Sequence, residues 1–349
     1  MQYINALSFF NNILNRVETK LNRTYLFSRP LEIALEPTLK CNSDCIMCNR
    51  SFNRKETKNA EGFLSWDTFL KVKPFFKYAE RVVFGGFGEA LLHTEYIAML
   101  REIKACGPFV YFFTNGILMT EKTGRELVDS GMDMICVSIG GATRDTYRKV
   151  RGVDAFEKVV DNIKLITAYK KKTGKKRPIL SFNVVAMNSL LPELESLVRL
   201  AHTIGVEHIA FPNLVVQGNA MREESIWLNL EKAKNAFKKA SLLANKLQIS
   251  FMPPGLDIYK SDCKSIFKKI FINWDGAVMS CAMERYIIGS LNEKSIQYVW
   301  NSKGMLRLRG DYYKKGLEVI CKNCACWDNR PETFLNPWVN SREYANKVS

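Results

Sequence analysis

Short apolar segments alternate along the chain with longer segments in which apolar residues recur every three or four positions. The short segments have the length and composition of buried strands, and the longer ones have the period of amphipathic helices. Strands are predicted at Leu31–Glu36, Arg81–Phe84, Val110–Phe113, Met134–Ile139, Ile179–Val185 and His208–Phe211. Helices are predicted at Leu64–Tyr78, Thr94–Cys106, Glu121–Ser130, Ala155–Lys170 and Pro192–Ile204. This alternation predicts parallel βαβ units and an α/β fold.

The pattern changes after residue 222. A long helix is predicted at Glu223–Lys246. Further on, two apolar segments flank Asp275-Gly276, a two-residue hairpin signal because both residues tolerate positive φ. A helical stretch follows at Glu293–Leu308. We therefore divide the chain into a helical segment (1–28), the βαβ region (29–222), a connecting helix and linker (223–262), a small cysteine-containing domain (263–330) and a tail (331–349).

The N-terminal segment has the pattern of an amphipathic helix. Its apolar residues recur at helical spacing: Tyr3, Leu7, Phe10, Leu14, Val17 and Leu21. Arg16, Lys20 and Arg23 stand beside them. Two interpretations stay open. The apolar side either packs against the core or lies at the surface of an anionic membrane, which suits a helix with a basic face beside an apolar one.

Composition narrows the class of protein. A chain of 349 residues with 47% hydrophobic content can bury one large core and a smaller one. Residues 1–10 lack the pattern of an export signal and no segment has the length of a membrane span, so a cytoplasmic location is expected. The net charge of +16 favours an anionic or lipid-linked small-molecule substrate, an acidic partner or peripheral membrane contact. Nucleic acid is not expected, because the basic run at 170–177 lacks interleaved aromatics and is predicted to be a solvated loop.

Three of the ten cysteines form a C-x3-C-x2-C loop directly after the first predicted strand: Cys41, Cys45 and Cys48. Thiolates hold iron–sulfur clusters, and a cluster held by three of them leaves one iron open to a small molecule. Structural zinc is the alternative, but it takes four protein ligands, and no fourth Cys or His lies nearby in sequence. The spacing therefore favours a cluster that takes part in chemistry.

This loop, the strand before it and the turn Gly86-Phe87-Gly88-Glu89 resemble the radical S-adenosylmethionine (SAM) enzymes. The resemblance implies a partial (β/α)6 TIM-type barrel with its functional residues at the C-terminal ends of the strands. It also implies that the three cysteines bind a [4Fe–4S] cluster whose open iron chelates the amino and carboxylate groups of SAM. An electron from that cluster cleaves SAM to a 5′-deoxyadenosyl radical in the family.

The same resemblance implies a set of SAM contacts. Glu89 and its neighbouring glycines engage the amino group of SAM, Ser138 the ribose or carboxylate, and Arg151 the carboxylate. The alternative for Arg151 is an exposed surface arginine. The full set of expected cofactor-binding residues is Met47, Gly86, Gly88, Glu89, Asn115, Ser138, Arg151 and Asn183. No general base is identified in the sequence.

A second group of cysteines lies after the predicted barrel: Cys263, Cys281, Cys321 and Cys324. They resemble the ligands of a SPASM or twitch domain, which implies a hairpin and helix around an auxiliary [4Fe–4S] cluster. Four thiolates would saturate such a cluster. Cys326 is the spare residue and can exchange roles with Cys324. Zinc is the alternative metal, since four cysteines also suit it.

The resemblance implies hydrogen abstraction from an unactivated carbon, with one electron passing through the auxiliary cluster to oxidise or dehydrogenate a small-molecule, sugar or lipid-linked substrate. A flavodoxin- or ferredoxin-type protein would supply electrons. A peptide-modifying maturase is the alternative, but the forty residues before Cys41 are too few for the peptide-recognition domain that such enzymes often carry. A non-catalytic electron carrier or a zinc-stapled binding module is a further alternative. Glu89 argues against both, because neither needs to hold SAM.

Overall fold

The computed structural model describes residues 5–48, 50, 62–216, 219–257, 263–281 and 287–316. Cys321, Cys324, Cys326 and the tail lie outside these residues. The strands are β1 (Glu32–Leu35), β2 (Arg81–Phe84), β3 (Phe109–Thr114), β4 (Met134–Ser138), β5 (Ile179–Asn183), β6 (His208–Ala210), β7 (Ser250–Met252), β8 (Lys269–Ile272), β9 (Ala277–Met279) and β10 (Ile287–Ser290).

The described residues also form eleven α-helices. They are α1 (Ala6–Lys20), α2 (Trp66–Phe76), α3 (Tyr96–Ala105), α4 (Glu121–Asp129), α5 (Arg144–Arg151), α6 (Phe156–Thr173), α7 (Leu194–Ile204), α8 (Leu230–Lys246), α9 (Ser265–Lys268), α10 (Ile296–Trp300) and α11 (Lys303–Lys315). The α/β class predicted from the sequence is confirmed.

One sheet contains all ten of these strands, in the order β10-β9-β8-β1-β2-β3-β4-β5-β6-β7. The strands from β8 across to β7 are parallel neighbours, and β9 is antiparallel to both β8 and β10. All six predicted strands are present. Parallel strands of one sheet end at the same edge, which we call the carboxyl edge. The loops after β1 to β5 are therefore brought together there.

Two features of the sheet differ from the prediction. The region predicted as a connecting helix and linker contributes a seventh parallel strand, β7, which pairs with β6 through Ala210 and Met252. The predicted small domain is joined to the barrel strands, because β8 pairs in parallel with β1 from Glu32 opposite Lys269 to Leu35 opposite Ile272. These pairings join segments far apart in sequence, so local periodicity does not encode them.

Two predicted helices are shorter than expected. The helix predicted from Glu223 begins at Leu230, after two 3-10 turns at Asn219–Glu224 and Ile226–Asn229. The Asn188 amide donates to the carbonyls of Glu223 and Ser225, at 2.7 and 2.8 Å, and so holds them out of a regular α-helix.

The second of these helices, predicted at Glu293–Leu308, is interrupted. Ser302 starts the new helix α11, because its hydroxyl accepts the N–H of Met305. Serine in this position satisfies a backbone donor that the first helical turn leaves free.

The predicted hairpin is present, with a different turn. The N–H of Asn273 donates to the carbonyl of Ala277 at 2.8 Å, so three residues, 274–276, form the turn instead of two. Gly276 has a φ of +82°, the left-handed conformation that this turn requires.

The basic run at 170–177 is not simply a solvated loop. Helix α6 continues to Thr173, and the side chain of Lys170 is buried against Glu207, with 2.9 Å between the ammonium nitrogen and the carboxylate oxygen. The remaining part of the run does connect α6 to β5.

Helix α1 contradicts the interpretation that its apolar side packs against the core. Leu7, Phe10 and Leu21 are 43%, 66% and 63% exposed. The residues that α1 buries are polar: Ser8, Asn11, Asn15 and Glu18. Helix α1 therefore turns its apolar side outward.

A buried arginine ties α11 to the N-terminal segment. The Arg309 side chain is fully buried and stacks on Trp300, 4.3 Å from the ring centre. Its Nε donates to the carbonyl of Ile266 at 3.2 Å, and Nη1 donates to the carbonyl of Thr24 and to Oδ1 of Asn301, both at 3.0 Å. Burial lowers the pKa of Arg309 to about 9, and the negative charge of Glu18 opposes that shift.

We expect Arg309→Ala to lower the free energy of unfolding by about 3 kcal/mol, because buried carbonyls lose a charged donor and a cavity forms. The matched control is Arg307→Ala, two positions earlier on the same helix. Arg307 is exposed and contacts Asp311 at 3.9 Å, so its loss should change stability by no more than about 0.5 kcal/mol. Chemical denaturation followed by circular dichroism compares the two. Equal effects would show that the buried network contributes nothing specific.

Candidate functional site at the carboxyl edge

The cysteine loop leaves β1 at the carboxyl edge and is held by the backbone on two sides. The N–H of Glu89 donates to the carbonyl of Lys40 at 2.8 Å. From the other side, the N–H groups of Asp44 and Ile46 donate to the last carbonyls of α5, at 3.1 Å each. The loop is therefore fixed between the turn after β2 and the C-terminus of α5.

The three thiols of this loop lie in a largely buried environment. Cys45 is buried, Cys41 and Cys48 are half-buried, and no disulfide links the cysteines that the structure describes. Burial raises the pKa of Cys41 and Cys45, while the positive charge of Arg151 acts to lower both. Binding of a metal centre would displace the thiol protons.

Within the described parts of the chain, no three His, Cys, Asp or Glu side chains are arranged as ligands of a single metal ion. The thiolates of a cubic iron–sulfur cluster bind separate irons, so they stand farther apart than ligands of one ion. The chemistry of this donor set, three soft sulfur atoms on one loop, fits a cluster.

The turn after β2 approaches the cysteine loop so closely that only glycine fits. A Cβ on Gly88 would lie 1.8 Å from the carbonyl oxygen of Thr38. A Cβ on Gly86, which has a φ of +147°, would lie 2.3 Å from Oε1 of Glu36. That oxygen accepts the N–H of Phe87 at 2.8 Å, so Glu36 fixes the turn. Glu36 is not among the predicted site residues, although an acidic residue at the end of a buried strand was an available signal.

Glu89 is 2% exposed and joins this turn to the end of β3. Oε1 accepts the hydroxyl of Thr114 at 2.7 Å and the N–H of Leu91 at 3.3 Å, and Oε2 accepts the N–H of Asn115 at 2.7 Å. Burial raises the pKa of Glu89, and these hydrogen bonds act against that shift. A carboxylate can accept about four hydrogen bonds. The hydrogen bonds above use three of these positions.

Asn115 holds the cysteine loop. Its Nδ2 donates to Oδ1 of Asn42 at 2.6 Å and lies 3.9 Å from the sulfur of Cys41, and its Oδ1 accepts the N–H of Ile117 at 3.0 Å. The polar atoms of this side chain are thus engaged within the protein.

Arg151 is 8% exposed, so the alternative of a surface arginine is wrong. It is the last residue of α5, and Gly152 follows in the left-handed conformation, where a Cβ would lie 2.2 Å from the carbonyl of Asp44. The Nε of Arg151 and the hydroxyl of Ser43 are buried without a hydrogen-bond partner among the described residues. These donors are available to a ligand in the cavity, and an arginine fits an anionic group.

These residues surround a cavity of about 250 Å³. Its volume lies close to the lower limit of about 300 Å³ for small-molecule sites. Ten of the predicted residues line it: Cys41, Cys45, Met47, Cys48, Gly86, Gly88, Glu89, Asn115, Ser138 and Arg151. Asn183 does not line it, and Val185 takes that part of the wall. The structure thus brings together the predicted set except Asn183.

The second cysteine group is described in part. Cys263 precedes α9, and Cys281 follows β9. Met279 pairs with Phe271 in an antiparallel register. The register therefore places Cys281 toward the start of β8, and Cys263 precedes the same strand in sequence. The other predicted ligands, Cys321 and Cys324, are outside the described residues.

Two family models match the chain. The model of the radical SAM superfamily matches residues 35–201, and the model of SPASM, an iron–sulfur cluster-binding domain, matches residues 263–325. The chain is 24% identical over 336 residues to the tungsten-containing aldehyde ferredoxin oxidoreductase cofactor-modifying protein of Pyrococcus furiosus, covering 85% of this chain and 92% of that protein. It is 24% identical over 268 residues to a probable GTP 3′,8-cyclase of Metallosphaera sedula, covering 73% and 82%.

Solved structures share the fold. SuiB of Streptococcus suis bound to S-adenosylmethionine has a TM-score of 0.65 and 18% identity, covering 85% of this chain and 71% of that one. Native anSMEcpe with bound AdoMet has a TM-score of 0.65 and 17% identity, covering 91% and 95%.

Proposed function

Because the chain belongs to the radical SAM superfamily and carries a C-terminal SPASM domain, we propose that the cavity at the carboxyl edge is where it binds and cleaves SAM. Its cofactors are a SAM-binding [4Fe–4S] cluster and an auxiliary iron–sulfur cluster. When bound, these and SAM supply one electron and a carbon-centred radical that removes a hydrogen atom from the substrate. The main support for the proposal is that three thiols, the buried carboxylate of Glu89 and the buried guanidinium of Arg151 all line one cavity.

In this proposal Cys41, Cys45 and Cys48 are the ligands of the first cluster. Their loop is supported by backbone hydrogen bonds from the β2 turn and from α5, and by Asn115 beside Cys41. Such support fixes the positions of the thiols before metal binds. Supporting contacts of this kind orient metal ligands and tune the site.

Glu89 and Arg151 would orient SAM by its charges. The carboxylate of Glu89 suits the ammonium group of the methionine part, and the unpartnered Nε of Arg151 suits its carboxylate. Because the two side chains carry opposite charges, only one orientation of the methionine part of SAM places its ammonium group at Glu89 and its carboxylate at Arg151. Met47 and Ser138 line the same cavity and would contact the rest of SAM.

The auxiliary cluster would be held by Cys263, Cys281, Cys321 and Cys324. The residues matched by the SPASM model begin at 263 and end at 325, so they include these four cysteines and exclude Cys326. Four thiolates leave no iron open, and the cluster would then accept an electron from the substrate radical without binding the substrate.

For the substrate we propose a small anionic molecule that is oxidised or dehydrogenated. Two similar proteins are named for acting on a cofactor and on the nucleotide GTP. The net charge of +16 suits an anionic substrate. Among the described residues before the cysteine loop, α1 packs against the start of β2 and β8, at the end of the sheet opposite the cavity. Helix α1 therefore does not lie over the site.

The test is reconstitution under anaerobic conditions. Full-length protein should bind about eight irons, the content of two cubic clusters. After chemical reduction it should convert SAM to 5′-deoxyadenosine, and an unreduced sample is the control. Stimulation of this reaction by small anionic compounds over peptides would support the substrate class, and stimulation by peptides alone would contradict it. Zinc in place of iron, or no 5′-deoxyadenosine, would overturn the proposed function itself.

A further inference from the structure

The outward side of α1 is an apolar surface. Nine of the nineteen exposed large hydrophobic side chains in the described residues lie within residues 7–27. They are Leu7, Phe9, Phe10, Ile13, Leu14, Val17, Leu21, Tyr25 and Phe27. Leu7, Phe10, Leu14 and Val17 recur at helical spacing and therefore lie on one side of α1. Contiguous exposed apolar patches mark interaction surfaces on proteins.

The helix is held in this orientation by its polar side. Asn11 donates to the carbonyl of Arg29 at 3.0 Å and accepts its N–H at 2.7 Å. Asn15 donates to the carbonyl of Phe267 at 2.7 Å, and Glu18 accepts two backbone N–H groups. Rolling the helix to bury its apolar side would leave these buried groups without partners, which costs about 1–3 kcal/mol for each neutral group. These hydrogen bonds therefore keep the apolar side of α1 exposed.

The charges on this surface have one sign. Arg16 and Lys20 are the exposed charged residues of α1, and Arg23 follows it. Glu18 is the acidic residue of the helix, and it is buried. The exposed side of α1 therefore combines apolar residues with positive charge and carries no exposed acid.

A cleft beside α1 adds further positive charge. It has a volume of about 590 Å³ and is lined by four cationic side chains, Arg16, Arg81, Lys104 and Arg177, and by the acids Glu80 and Asp133. Lys104 and Arg177 both pair with Asp133. Arg16 and Arg81 form no ion pair within the described ranges. The cleft therefore has an excess of cations next to the apolar surface.

We propose that the exposed side of α1 and this cleft form a docking surface for an anionic lipid bilayer. The apolar side chains would enter the boundary between headgroups and acyl chains, and the arginines and Lys20 would face lipid phosphates. No helix in the described residues is long and apolar enough to cross a membrane. In this proposal α1 lies in the bilayer surface. A second copy of the chain is a poorer occupant, because paired α1 surfaces would oppose positive charge with positive charge.

Docking by α1 orients the active site. Helix α1 packs where β2 and β8 begin, and the cavity lies where β1 to β4 end. Strands of four to six residues separate the two ends, which is roughly 13–20 Å at about 3.3 Å per residue. The cavity would thus face away from the bilayer, and the substrate would enter from water.

Sedimentation with lipid vesicles tests this proposal on the full-length protein. Binding is expected to vesicles of phosphatidylcholine mixed with phosphatidylglycerol, to be weak with phosphatidylcholine alone, and to fall at high salt. The double variant Phe10→Ser, Leu21→Ser should bind at least about tenfold more weakly, from the loss of two inserted apolar side chains. Arg16→Gln and Lys20→Gln should each weaken binding about fivefold. Leu242→Ser, at a 57% exposed position on α8, is the matched control and should bind normally.

Since all these positions are exposed, the variants should fold, and circular dichroism checks this. Equal binding to neutral and anionic vesicles, normal binding by the Phe10 and Leu21 variant, or no binding at all would overturn the proposal. The proposal would also be wrong if the parent protein formed a dimer and did not bind vesicles, and if the Phe10 and Leu21 variant were a monomer. A second copy of the chain would then cover the surface.

Discussion

Replacing Cys41, Cys45 and Cys48 together by alanine is expected to abolish SAM cleavage and to reduce bound iron to about half. The three thiols lie on one loop at the cavity, and alanine offers no ligand in their place. The second cysteine group is untouched, so its cluster should remain. Iron content and 5′-deoxyadenosine formation, measured on anaerobically reconstituted protein, give the two readouts.

The matched controls are Cys106→Ala and Cys136→Ala. Neither residue lines the cavity, and burial raises the pKa of Cys136 to about 12, which keeps its thiol protonated. Both variants should retain full iron and normal SAM cleavage. A complementary variant, Cys281→Ala, should lose the other half of the iron while still cleaving SAM. The ligand assignment is wrong if the triple variant keeps all its iron or still forms 5′-deoxyadenosine.

Strands β1 to β6 were predictable because each carries an apolar run between turns or helices. In β3, for example, Val110 and Phe112 are fully buried. The seventh strand was not predictable, because Ser250–Met252 is three residues long and two of them are exposed. Strand β6 is equally short, but it belongs to an apolar run in which Ile209 and Phe211 are buried, whereas the exposed residues of β7 give no such run. The pairing of β8 with β1 joins residues that are far apart in sequence, so no local sequence pattern predicts it.

Helix α1 shows where periodicity misleads. Its spacing correctly predicts a helix with one apolar side, but it does not say which side faces the protein. That choice is made by specific polar contacts, such as the hydrogen bond from Asn15 to Phe267, which are 252 residues apart in sequence. A buried asparagine with a distant backbone partner looks like any surface asparagine when only the sequence is read.

The site residues also fall into two groups: those that local sequence patterns reveal and those that depend on contacts between distant segments. The cysteine loop and the glycine turn are local patterns, and the structure places both on the cavity. Glu36 and the burial of Arg151 depend on how loops from different strands meet, so the sequence did not settle them. Asn183 was assigned to the correct strand end, but Val185 reaches the cavity instead. Alternation of apolar and polar residues predicts which face of a strand a side chain lies on. It does not predict which residue on that face reaches the ligand.

Glu89 serves both the fold and the proposed SAM site, and Glu89→Gln is expected to separate the two roles. Glutamine keeps the length of the side chain and one oxygen for the N–H of Asn115, and its amide can donate to the Thr114 hydroxyl, which then acts as an acceptor. The longer hydrogen bond from the N–H of Leu91, at 3.3 Å, is the one that is lost. Fold and iron content should therefore be retained. The negative charge that faces the ammonium group of SAM is lost, so SAM affinity should fall about tenfold or more.

Glu89→Ala is expected to do more damage. It leaves the buried N–H of Asn115 and the hydroxyl of Thr114 without an acceptor, which should lower the free energy of unfolding by about 3 kcal/mol. Asn115 contacts the sulfur of Cys41, so the cysteine loop loses part of its support and iron retention should also fall. A residue that contacted SAM alone would leave stability and iron content unchanged in this variant.

Three measurements on the same anaerobic preparations distinguish these roles: SAM affinity by equilibrium dialysis, iron content and chemical denaturation. Glu195→Gln is the control for loss of one negative charge, since Glu195 is exposed on α7 and does not line the cavity. If Glu89→Gln binds SAM as tightly as the parent protein, the carboxylate has a structural role only. The ammonium group of SAM must then be held by another part of the cavity. The predicted order of SAM affinity is parent protein, then Glu89→Gln, then Glu89→Ala, because the alanine variant combines loss of charge with a displaced cysteine loop.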